Sequence, residues 1–166
     1  KWTVYCSHSS HTDIGYTDTQ EEIEFQHIGF IHEVIDILNA AYTTKPEWRG
    51  FKWTCESFWC VRRFLETADA SYIDDFVKYV KKGDIGISAS YLNLTELVSA
   101  EVLDRMIQHS IQLLDRYGLK TDFAMTADIN GYSWGFAESL YKNNINHLMC
   151  CLHTHHGYHP TGMNQN

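Results

Sequence analysis

The sequence predicts an α/β fold built around a largely parallel sheet. Short apolar runs alternate with longer amphipathic stretches along the chain. The connections between successive runs are too long for hairpins, which leaves right-handed βαβ crossovers as the way to pair them. In such folds functional groups gather in the loops at the carboxyl ends of the strands.

Residues Trp2 to Cys6 read as the first strand. From about Thr19 to Tyr42, Ile23, Phe30, Ile31, Val34, Ile35 and Leu38 recur at three- and four-residue steps and predict a helix, opened by the capping box Thr19-Gln20-Glu21-Glu22. A loop containing Pro46 leads to a second strand at Phe51 to Cys55, then to helices through Val61 to Ala68 and Ile73 to Lys82, the latter closed by Gly83. A third strand, Ile85 to Tyr91, precedes a helix from Ser99 to Tyr117 that Gly118 ends. A fourth strand at Phe123 to Ala127, a helix over about Trp134 to Asn143 and a fifth strand at His147 to Leu152 complete the pattern. Residues 1–166 then read as one β/α domain.

Composition narrows the function. The 166 residues are 44% hydrophobic and 20% charged, an ordinary balance for a soluble globular chain. Thirteen Lys and Arg against 21 Asp and Glu give a net charge of −8 without a basic run, which argues against nucleic acid and against an anionic membrane surface as partners. No apolar stretch is long enough to span a bilayer. The opening Lys1-Trp2-Thr3 has neither an initiator Met nor a signal-peptide pattern, so the chain reads as processed or excised. Five cysteines without a C-x-x-C pair read mainly as buried small hydrophobes, which favours a reducing, cytoplasmic compartment; the sequon Asn93-Leu94-Thr95 points the other way but is too short to decide.

The strand-end loops collect the chemistry. His11 and Asp13 follow the first predicted strand, Glu56 the second, Asp128 the fourth, and His153, His155 and His156 the fifth. In an extended loop His11 and Asp13 project the same way and can grip one divalent cation, or Asp13 and its threonine neighbours can cap backbone donors of the following helix. Asp128, ahead of the turn "INGYSWG", suits a nucleophile, a metal ligand or a turn-satisfying side chain. Together, His11, Asp13 and Asp128 make an N and O ligand set fit for zinc or another divalent ion. The histidine cluster His153, His155, His156 and His159 reads either as metal or sugar binding or as a solvated loop. Glu56 is either an acceptor behind a metal-bound histidine or a helix-start carboxylate, and helix capping is the simpler assignment. His8, His27, His32 and His109 read as structural. Among the aromatics, Tyr16 and Trp134 fall where a ligand could stack.

The stretch "HTDIGY" from His11 to Tyr16, followed by "TADINGYSWGFAESLYKNNINHLMCCLHTHH" from Thr126 to His156, resembles the amino-terminal catalytic domain of the glycoside hydrolase family 38 α-mannosidases. The resemblance implies a parallel β/α barrel of the seven-stranded type, incomplete here with about five βα units, forming the amino-terminal part of a larger domain. It implies a zinc-dependent retaining glycosidase acting on a mannose-containing glycan. His11 and Asp13 would be zinc ligands, Asp128 both ligand and nucleophile, and Tyr16, Trp134, His153 and His155 substrate contacts. Two positions depart from the family pattern: Tyr16 stands where a tryptophan is usual, and His153 stands near the family's arginine. The family's general acid and last histidine ligand come from segments beyond these motifs, so the remainder of the same polypeptide or an oligomer is the expected partner. Two other readings are open: a polysaccharide-deacetylase-like metal hydrolase, and a non-catalytic carbohydrate- or partner-binding fragment.

Overall fold

A computed structural model describes residues 1–4, 6, 8–94 and 96–153, and divides into two compact units, Lys1–Ile87 and Ser88–Asn166.

The first unit is built on helix α1, Gln20–Thr43. Thr19 caps it by accepting the Glu22 amide proton on Oγ1 at 3.2 Å, and Glu21 and Glu22 place negative charge at the positive end of the helix dipole. Its buried stripe runs through Ile23, Ile31, Val34, Ile35 and Leu38, at the spacing that keeps side chains on one helical face. A short 3₁₀ turn, Pro46–Trp48, leads to strand β1, Trp53–Cys55, then to helices α2, Phe58–Thr67, and α3, Ala70–Lys82. Gly83 ends α3 at φ +75°, a left-handed conformation that suits glycine. Strand β2, Ile85–Ile87, pairs in parallel with β1, Trp53 opposite Ile85 and Cys55 opposite Ile87. Phe58, Phe64, Phe76 and Tyr79 are fully buried in this unit, each worth roughly 1.5–3 kcal/mol of transfer free energy.

The second unit holds helix α4, Ala100–Arg116, strand β3, Phe123–Ile129, helix α5, Trp134–Lys142, and strand β4, His147–Leu152. Ser99 caps α4 and Ser133 caps α5. Strands β3 and β4 pair in parallel from Phe123 opposite His147 to Ile129 opposite Leu152, with one register shift between Ala127 and Ile129. Ala89, Leu103, Ile107, Ala124, Phe136, Leu140 and Ile145 form the core here.

The expected barrel is not what this chain forms. Among the described residues, strand pairing is limited to one two-stranded parallel sheet in each unit, and a barrel requires a ladder that returns to its first strand. Two local causes stand out. No strand is present among the described residues of the first predicted strand: Trp2 and Val4 are 95% and 79% exposed, so the apolar alternation there has no surface to bury against. The third predicted strand stops at Ile87 because Ser88 replaces ladder bonds with its own side chain. Its Oγ accepts the Met125 amide proton at 2.8 Å and the Ser90 amide proton at 3.2 Å. The strand-helix alternation itself is present, and no described helix is long and apolar enough to cross a membrane.

Candidate functional site

In the first unit His11 and Asp13 lie on an irregular segment ahead of α1, and both are exposed. The segment turns at Gly15, whose φ of +77° favours glycine and where an added Cβ would meet Gln20 Cγ at 3.0 Å. Glu56, almost fully buried, accepts from His11 Nδ1 at 2.7 Å. That bond makes Nδ1 the protonated nitrogen and Nε2 the basic one, the usual arrangement behind a metal-binding histidine. It also corrects the helix-capping assignment, because Ser57 is the N-cap of α2 and Glu56 stands one residue ahead of it with its carboxylate turned to His11.

His27 supports the same segment from below. Its ring packs edge-on against Phe30 and Trp59, and burial lowers its pKa, opposed by Glu56 and by a hydrogen bond with the Thr12 backbone. The buried imidazole is therefore more than filler. His32, by contrast, packs edge-on between Phe64 and Tyr72, in line with a structural role.

In the second unit Asp128 interrupts the β3–β4 register at the bulge between Ala127 and Ile129 and adopts φ +56°. A bulge of this kind turns one side chain out of the ladder, and the left-handed conformation of a non-glycine residue costs about 1–3 kcal/mol. His153 Nε2 lies 3.4 Å from Asp128 Oδ1, and the His153 amide donates to the Ile129 carbonyl at 3.2 Å. The exposed carboxylate thus sits at the end of a regular strand with its backbone held on both sides of the bulge.

The sequence matches Glycosyl hydrolases family 38 N-terminal domain over residues 1–164. The chain belongs to glycosyl hydrolase family 38. Membership makes this family 38 domain part of a glycosidase family with glycans as its general class of substrate, and it favours the glycosidase reading over the deacetylase-like one. No curated protein matches the domain.

Of the other expected substrate contacts in this family 38 domain, Tyr16 in the first unit and Trp134 in the second are 87% and 91% exposed, so neither ring is consumed by the core. His155 lies outside the described residues. Two residues that the sequence did not single out as site residues also emerge. Asn93 and Glu96 hydrogen-bond the backbone on either side of Asp128, at Ala127 and Ser133. Their sequence signal is position after a predicted strand and, for Asn93, the sequon Asn93-Leu94-Thr95.

Proposed function

We propose that this family 38 domain is the metal-binding, nucleophile-bearing part of a zinc-dependent retaining α-mannosidase acting on mannose-containing glycans. The observation that carries the reading is Asp128, a carboxylate turned out at a strand-end bulge, in a chain whose whole matched length belongs to a glycosidase family.

His11, Asp13 and Asp128 would hold the metal. They offer one imidazole nitrogen and two carboxylates, all exposed, a donor set that suits zinc. The Glu56 bond to His11 Nδ1 supports the fit, since it leaves Nε2 as the basic nitrogen. When bound, zinc would supply Lewis-acid polarisation of the sugar it contacts.

Asp128 attacks the anomeric carbon as the bond to the leaving oxygen breaks, and that oxygen takes a proton from a second carboxylic acid. Water then opens the resulting glycosyl ester and returns the Asp128 carboxylate, so the anomeric configuration is retained. Tyr16 and Trp134 offer apolar faces for sugar rings, and His153 beside Asp128 offers a polar contact.

An activated fluoro-mannoside tests the nucleophile. Zinc-loaded protein should gain one sugar mass on the peptide that carries Asp128. An adduct on another carboxylate, or none while zinc is bound, would contradict the assignment.

A further inference from the structure

On the side of β3 away from β4, the main chain of Phe123, Met125 and Ala127 faces residues 88–93. The Phe123 carbonyl accepts from the Ala89 amide at 2.9 Å, Ser88 Oγ accepts from the Met125 amide, and Asn93 Oδ1 accepts from the Ala127 amide at 3.3 Å. Side chains stand in for a neighbouring strand there, and the last of them meets the residue before Asp128. Beyond the turn, Glu96 Oε2 accepts from the Ser133 amide at 2.6 Å. That amide belongs to the N-cap of α5, whose third helical residue is Phe136 and so cannot supply the reciprocal carboxylate of a capping box. Glu96 supplies it from another segment.

Both ends of the segment 127–133 are therefore fastened to one loop, and between the fastenings lie Asp128 at φ +56° and Gly131 at φ +156°. We infer that Asn93 and Glu96 form a clamp that holds the Asp128 bulge in its exposed, left-handed form and so positions its carboxylate. They are positioning residues. Asn93 also opens the sequon Asn93-Leu94-Thr95, and its half-buried carboxamide is engaged with the strand end. The inference rests on the reading of Asp128 as a metal ligand, and its test separates the two.

Hydrogen exchange and zinc affinity, the latter by competition with a chromophoric chelator, are measured on wild type, Asn93→Leu, Glu96→Leu, Asn93→Asp, Glu96→Gln and Asp128→Ala. The leucine variants should accelerate exchange across 127–133 while leaving 123–125 protected, and should weaken zinc binding about tenfold, the scale of support behind a ligand. The Asp and Gln variants keep an acceptor oxygen and should stay within about twofold of wild type. Asn93→Asp also removes the sequon, so its rescue separates the hydrogen bond from any glycan. Should a leucine variant not fold, Asn93→Ala and Glu96→Ala carry the same expectations. Wild-type exchange in the variants without an acceptor overturns the clamp; accelerated exchange with unchanged zinc affinity overturns its positioning role. If Asp128→Ala itself binds zinc like wild type, the ligand reading fails instead, and unaccelerated exchange is what would overturn the clamp.

Discussion

The two units present their acidic groups by opposite means. In the first, His11 and Asp13 lie on a segment without regular structure, and order comes from side chains reaching up to it: Glu56 to the His11 ring and His27 to the Thr12 backbone. In the second, Asp128 lies within a regular strand, and a one-residue bulge turns it outward. An irregular segment needs buried polar anchors to have a defined geometry, whereas a strand brings its geometry with it and needs a local defect to expose a side chain. The first unit stores its cost in buried polar groups, among them the His27 Nε2, which has no hydrogen-bond partner among the described residues. The second stores it in backbone strain at φ +56°.

The sharpest way to break this contrast is Glu56→Ala. With the His11 ring released, zinc affinity should fall about 10- to 100-fold, read by chelator competition. An unchanged affinity would mean that the His11 segment holds its shape without the anchor. Next comes His27→Leu, which keeps the packing against Phe30 and Trp59 but deletes the bond to the Thr12 backbone. Protection of the segment 8–16 in hydrogen exchange should drop, and zinc affinity should fall by less than in Glu56→Ala, about threefold to tenfold.

Asp128→Gly probes the other unit. Glycine adopts a positive φ without strain, so this variant should match or exceed wild-type stability by up to about 1 kcal/mol in denaturant unfolding while losing zinc. A loss of stability would show that side-chain contacts of Asp128, and not its backbone, hold the bulge.

The smallest effect concerns pH. Burial pushes the Cys60 thiol from an ordinary 9.0 up to about 11. Its folded pKa is raised, so the native state keeps a proton that the unfolded chain gives up above pH 9. That contribution is whole below pH 9 and is lost as pH rises towards 11. Relative to Cys60→Ala, wild type should lose about 1 kcal/mol more stability between pH 9 and 10, and parallel stability profiles would contradict the burial argument.

These particulars also show what sequence could and could not carry. Helix α1 and strand β4 were legible because caps and apolar spacing act locally: Thr19 accepts from Glu22 as its capping box predicts, and β4 spans His147–Leu152 as read. The first strand misled because Trp2 and Val4 have the alternation of a buried strand, while pairing depends on a partner that spacing cannot reveal. The barrel failed for a related reason, since Ser88 looks like a strand residue until its hydroxyl is seen taking the ladder bonds of Met125. For the proposed site, the motif residues His11, Asp13 and Asp128 are read from residue type and position, and their shared role stays a proposal. Glu56 and Asn93 could not be resolved, because the long-range hydrogen bonds they make to His11 and Ala127 leave no local mark, and the local sequence fits equally well to capping or to a sequon.

The central claim is that His11, Asp13 and Asp128 hold one metal ion, and elemental mass spectrometry on untagged, zinc-supplied protein tests it most directly. The account predicts about one zinc per chain in wild type and loss of that zinc in both Asp13→Ala and Asp128→Ala. No zinc in the wild-type protein, or the same zinc content in all three proteins, would contradict it.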